Sequence, residues 1–275
     1  MKYLVSSIIF ILSIFCGHLK SEAKTYVFAF APAGSGLALT DSLDHILRTS
    51  SSETYVIPII VDKNNIENAV TSALFKADSL HIKADSDKYG ILGIGPFGSA
   101  AALKSTSRKM PEFVALISAL GVPGTDFIYK FFSAPTYVMD FPQDQAQHIR
   151  KELRDCLFSN TESTENHNII IEEFKELRTY VPSRYLSQIK CPVYSAHGVN
   201  DNIIPWFENA SGIESGVPFN AKSVFKVFPD TGYALIFQTD QPYHPMIGDA
   251  MPEQQRHYNT AIISDLISWI DGLYD

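Results

Sequence analysis

The stretch Tyr89-Gly-Ile-Leu-Gly-Ile-Gly-Pro-Phe-Gly-Ser-Ala-Ala-Ala-Leu103 decides the fold. Tyr89 to Ile94 is an apolar run of strand length, glycines follow at once, and an alanine-rich segment of helix formers follows them. A strand that turns directly into a helix is the unit from which parallel sheets are wound. The same alternation continues outward in both directions. Tyr26 to Phe30, Tyr55 to Val61, Phe113 to Ala119, Val193 to His197 and Val224 to Phe228 read as strands. Ile66 to Leu80 carries apolar residues at helical spacing, and Ile262, Ile263, Leu266, Ile267, Trp269 and Ile270 form an amphipathic closing helix. Strands that are apolar on both faces belong to a parallel sheet covered by helices on each side. The expected fold class is therefore α/β, a doubly wound and mostly parallel sheet forming one domain over residues 24–275. A polar, helical insertion from about 125 to 184, clearest at Gln143 to Phe158, is expected over the C-terminal edge of the sheet, where a lid would lie.

Composition narrows the function. The chain has 275 residues with 22 Lys and Arg against 30 Asp and Glu, a net charge of −8, and 45% hydrophobic residues. An acidic balance of this size excludes a phosphate-seeking surface, and the short basic run Lys104 to Lys109 reads as a solvated loop, so no nucleic-acid partner is expected. Three cysteines exclude a disulfide scaffold. Cys191 lies in an apolar strand pattern and is expected as a buried, inert thiol, while pairing of Cys156 with Cys191 stays open. Lys2, the apolar run Tyr3 to Phe15, and the small residues Ser21 and Ala23 follow the order of a secretory signal peptide cleaved before Lys24. That run is too short to span a bilayer comfortably, so the expected product is exported, with no membrane span once residues 1–23 are removed.

The glycines also spell Gly93-Ile-Gly95-Pro-Phe-Gly98, a literal G-x-G-x-x-G between strand and helix. Pro96 removes a phosphate-facing N–H, and no acidic residue ends a following strand at the required distance. A nucleotide is therefore not expected here. His197 and Asp201 are separated by a glycine turn with no third ligand spaced near them, so no metal is expected either. No cofactor is implied.

The Tyr89–Leu103 unit resembles the nucleophile elbow of the α/β-hydrolases, and its continuation strengthens the likeness. Phe113 to Gly124, ending Gly-Val-Pro-Gly, resembles the strand and loop after the elbow in exported esterase-like and serine-aminopeptidase-like members. Ile189-Lys-Cys-Pro-Val to Asp201 is similar to their strand and acid loop, Leu235-Ile-Phe-Gln238 to the segment after their histidine, and Glu253 to Trp269 to their closing helix. Ala33-Gly34-Ser35-Gly36 echoes the oxyanion loop. Carried over by position, the nucleophile falls on Gly95, the acid on Asp201, and the histidine at or near Tyr233. Pro96 and Phe97 stand where the family has an acidic residue and a glycine, and Asp62-Lys-Asn-Asn65 replaces the Arg-Gly-x-Gly-x-Ser turn. Glycine has no oxygen to attack a carbonyl, and Pro96 lacks the N–H that completes an oxyanion hole. Nucleophile and base are both missing.

Substitutes within the chain are Ser99, four residues past Gly95, with His197 or His244 as base. A serine at Ser99 more ordinarily braces the first helical turn, Ser35 a turn, and such histidines the surface or a satisfied core. Trp206-Phe207 beside Asp201 are candidates to line a cleft, and Asn209-Ala-Ser211 is a glycosylation sequon. Two readings follow. One is an exported, catalytically degenerate protein that binds a small molecule or peptide, or acts as a scaffold, through the old cleft. The other is a serine acyl hydrolase, esterase or peptidase-like, that uses a displaced Ser/His pair.

Overall fold

The computed structural model describes residues 24–32, 54–80, 87–134, 136, 142–158, 174–201, 203–233 and 259–274. Six strands pair in parallel throughout: β1 (Thr25–Pro32), β2 (Thr54–Val61), β3 (Lys88–Ile94), β4 (Phe113–Ile117), β5 (Val193–Gly198) and β6 (Val224–Phe228), in the order β2-β1-β3-β4-β5-β6. β3, β4 and β5 are buried almost end to end, whereas β6 is half-exposed along its length. This is why their sequences are apolar without alternation.

Helices cover both faces. On one side lie α1 (Ile66–Ser79), α2 (Gly95–Thr106) and α7 (Trp206–Gly216), packed on Phe28, Phe30, Ile59, Ile91 and Leu116. On the other, α8 (Thr260–Asp271) presents Ile262, Ile263, Leu266, Ile267 and Ile270 to Val27, Leu92, Ala115, Ile117 and Tyr194. Each such buried side chain is worth about 2 kcal/mol of transfer free energy. Between β4 and β5 the chain forms α3 (Gly124–Ser133), α4 (Gln143–Phe158), α5 (Lys175–Arg178) and α6 (Ser183–Leu186). α4 packs on α3, and α5 and α6 rest on α2, which fills the interval the sequence set apart as an insertion. No helix among the described residues is long and apolar enough to cross a membrane.

α2 is the pivot of the molecule, buried nearly all round, and Gly93 at the end of β3 and Gly98 in its first turns serve packing. A Cβ on Gly93 would meet Ser99 Cα and Ala102 Cβ at 2.8 Å, and one on Gly98 would strike the carbonyl of Phe30. The G-x-G-x-x-G spelling thus records helix pressed on sheet. The basic run also takes a different form from the expected loop. Lys104 closes the last turn of α2, where it pairs with Glu67 at 3.8 Å and Glu176 at 3.9 Å, while Arg108 reaches Glu67 and Lys109 reaches Asp78. Acids of α1 and α5 neutralise it.

Local chemistry explains the termini. Asn65 caps α1 by accepting the Asn68 N–H at 3.1 Å, and Asp62 accepts the Asn64 N–H at 2.9 Å in the turn before it. Cys156 and Cys191 are both buried and form no disulfide with each other, and burial pushes the Cys191 thiol up to about 12. It is inert at neutral pH. The signal-like residues 1–23, together with Gly34, Ser35 and His244, lie outside the described residues.

Candidate functional site

The order of the strands changes direction between β1 and β3, and ligand crevices in open parallel sheets form at the strand C-termini beside such a switch. β3 delivers Gly95 to that point. Ile94 is extended, Gly95 takes φ +70°, and α2 starts at once, with Pro96 in its first turn where a missing N–H costs no helix bond. A left-handed residue between strand and helix is the elbow that the sequence resemblance implies. Here glycine occupies it without strain.

Tyr233 fills the space in front of this elbow. A Cβ placed on Gly95 would run into the Tyr233 hydroxyl, with the ring carbon Cζ next at 3.0 Å. Tyr233 follows β6 on a loop that is well fastened. Val199 N–H donates to Phe228 O at 2.9 Å, and Asn200 N–H donates to Thr231 O at 2.9 Å. Asn259, which caps α8 through Ala261 N–H, also donates from Nδ2 to Thr231 Oγ1 at 3.1 Å. These bonds lock the loops carrying Asp201 and Tyr233 to each other and to α8.

Asp201 is buried just past β5. Its Oδ1 accepts the N–H groups of Ile203 at 2.9 Å and Ile204 at 2.7 Å, and the Ser118 hydroxyl holds the carboxylate from the end of β4. Oδ2 has no well-directed partner among the described residues. Burial pushes the acid up to about 7, against the pull of the Ile204, Ser118 and Ile203 hydrogen bonds. Burial, and then the nearby Asp201 charge, push the Tyr233 phenol above its ordinary range. Gly95, Tyr233 and Asp201 therefore meet at the C-terminal ends of β3, β6 and β5. The trio holds a phenol that burial keeps protonated, an acid whose proton affinity burial raises, and no hydroxyl or thiol at the elbow.

The other named residues lie as follows. Ser99 is fully buried, donates to Pro96 O at 3.1 Å and accepts the Leu120 N–H at 3.3 Å, so its hydroxyl ties α2 to the loop after β4. His197 is fully buried in β5, and neither ring nitrogen has a hydrogen-bond partner among the described residues. The expectation of a surface or satisfied histidine is corrected: it is buried and unpaired, and burial pushes it down to about 4. Phe97 is half-buried with its ring 5.8 Å from that of Phe174 and tilted 33° to it, and Phe174 lies 5.4 Å from Phe132, so aromatic rings cover the ground beside the elbow. Trp206 and Phe207 open α7 in edge contact, with Phe207 69% exposed. Among the described residues no three His, Cys, Asp or Glu side chains cluster as metal ligands would.

Two positioning residues escape a single-sequence reading. Ser118 adopts φ 47°, a left-handed conformation tolerated beside the acid it holds, and nothing in its sequence context marks it. Asn209 looked like a sequon. It is buried, accepting Gly121 N–H at 2.9 Å and donating from Nδ2 to Pro205 O at 2.8 Å, and so it clamps the loop after β4 onto α7. Glycosylation at Asn209 is incompatible with this packing. Asn209→Asp keeps the acceptor but turns the donor into a charge facing a carbonyl. It is expected to cost about 3 kcal/mol, or roughly 8 °C in thermal denaturation. An unchanged melting temperature would disprove the clamp.

No protein-family model matches the sequence, and no curated protein matches it. Solved structures do. The chain is similar to an esterase (EaEST) from Exiguobacterium antarcticum at TM-score 0.53 and 16% identity, over 91% of this chain and 92% of that one. An esterase, RhEst1, from Rhodococcus sp. ECU1013 gives 0.53 and 11% over 91% of both chains. MGS-M2, an alpha/beta hydrolase enzyme from a Medee basin deep-sea metagenome library, gives 0.52 and 15% over 93% and 92%. At such identities the common property is architecture. The sheet order, the elbow at Gly95 and these neighbours agree, and the chain has the α/β-hydrolase fold.

Proposed function

We propose that this is an exported α/β-hydrolase-fold protein that has lost catalysis and uses the former substrate cleft to bind a small molecule or peptide, or as a scaffold, with the helices between β4 and β5 as its cover. One observation carries the reading: the Tyr233 hydroxyl stands where the side chain of a nucleophile at position 95 would have to be. Either loss alone, of nucleophile or of base, removes several orders of magnitude in rate. Ser99 does not compensate, because its hydroxyl is spent on Pro96 O and Leu120 N–H inside the molecule.

The test is intact mass after exposure of the folded protein to a fluorophosphonate. The expected result is no adduct. A single adduct that disappears in Ser99→Ala would restore the acyl-hydrolase reading and overturn this one.

A further inference from the structure

The sequence pattern places cleavage between Ala23 and Lys24, and the structure independently makes Lys24 a fixed point. Its carbonyl accepts the Lys88 N–H at 2.7 Å, so the β1–β3 ladder begins at this residue. Its ammonium group lies 5.9 Å from the centre of the Tyr55 ring on β2. Its backbone nitrogen faces Asp87 Oδ1 at 3.4 Å. In an uncleaved chain that nitrogen is a neutral amide and the contact is a long, weak hydrogen bond.

We propose that removal of residues 1–23 creates an ion pair: the new α-ammonium of Lys24 binds the Asp87 carboxylate and fastens the first strand to the third. This rests on the export reading above. Hydrolysis of the Ala23–Lys24 bond consumes one water, leaves a carboxylate on Ala23, and turns the Lys24 nitrogen into an amine that takes up a proton at neutral pH. A neutral donor thereby becomes a full positive charge with the same acceptor in front of it, which strengthens the contact. Among the described residues, Lys24 Nζ and Lys88 are the neighbouring cations, Glu112 interacts with Lys88, and Asp87 is the carboxylate in direct contact with the Lys24 nitrogen.

The experiment has two parts. The first is the N-terminal mass of protein collected from the cell exterior or envelope, with Lys24 expected as the first residue. Exported protein that begins elsewhere overturns the proposal and leaves the export reading standing. Protein that stays inside the cell with residues 1–23 attached overturns both. The second part uses protein prepared to start at Lys24, whatever its route, and titrates the α-amine by its chemical shift. Asp87→Asn is expected to lower the midpoint by about half a unit, roughly a threefold change in proton affinity. A midpoint unmoved by Asp87→Asn, in a variant with unchanged circular dichroism, overturns the ion pair.

Discussion

Placing a serine at the elbow by Gly95→Ser is expected to destabilise the protein by about 3 kcal/mol. Two effects add. A non-glycine residue at φ +70° pays about 1–2 kcal/mol of left-handed strain. The new Cβ also drives into the Tyr233 hydroxyl, and Tyr233 sits on a loop held by Thr231, Asn200 and Asn259, so its ring has little freedom to retreat. The second variant, Tyr233→His, removes the obstructing hydroxyl and is expected to be milder. In the double variant the clash is gone and only the strain stays. The coupling between the two sites, read from a double-mutant cycle in urea, is therefore expected to be about 2 kcal/mol in favour of the pair. Additive effects would show that Tyr233 does not occupy the place of a serine side chain. Even the folded pair lacks the N–H that Pro96 removed, so restored stability is not expected to bring hydrolysis with it.

A coupling of that size would give Gly95 and Tyr233 one physical explanation. A tyrosine where a histidine would be reaches farther, and its hydroxyl takes the volume of a serine side chain. A glycine at the elbow makes room for it and removes the backbone strain that only an active nucleophile requires. Asp201 stands at the position the resemblance gives to the acid. Asp201 keeps its hydrogen bonds from Ile203, Ile204 and Ser118 but has no imidazole to orient among the described residues.

Much of this was legible in the sequence because it depends on local patterns. The strands at Tyr55–Val61 and Val193–His197, and the helix at Gln143–Phe158, announce themselves through runs of β-branched or apolar residues or through helical periodicity; β5 is buried on both faces, whereas β2 is buried only in part. Gly95 is legible as the elbow because the strand, glycines and helix of Tyr89–Leu103 resemble the nucleophile elbow of the α/β-hydrolases, in which the turn falls at that position. What stayed hidden depends on contacts distant in sequence. Nothing near Asn209 reveals that its amide holds Gly121, 88 residues away. Nothing near Ser118 shows that it bonds to Asp201. Lys104 to Lys109 looked solvated because Glu67 and Asp78, which neutralise it, belong to another helix. His197 looked ordinary because a histidine stripped of partners carries no mark in its own segment.

The pH dependence of stability tests the burial of Asp201 directly, because Asp201 and His197 act in opposite senses. Asp201 is raised to about 7 in the folded protein, so between the ordinary carboxylate range and pH 7 the native state holds a proton that the unfolded chain has released. Stability from this group therefore falls as pH rises from about 4 to 7. His197 is lowered to about 4, so below about 6.5 the unfolded chain takes up a proton that the native state refuses. Stability from this group falls as pH drops from about 6.5 to 4. The two slopes oppose each other, and the wild type is expected to be nearly flat across this window with respect to these groups. Asp201→Asn keeps an oxygen for the Ile203 and Ile204 N–H groups and discards the buried charge, so it is expected to be more stable than the wild type by about 2–3 kcal/mol at pH 8. Its advantage shrinks toward zero at pH 4, where the wild-type acid is itself protonated. His197→Leu exposes the other slope, with stability falling from pH 4 to pH 7. Urea denaturation of the three proteins at intervals across pH 4–8 reads these curves. Parallel profiles, or an Asp201→Asn protein weaker than the wild type at pH 8, would mean that the hydrogen bonds from Ile203, Ile204 and Ser118 outweigh burial and keep Asp201 ionised in the folded protein.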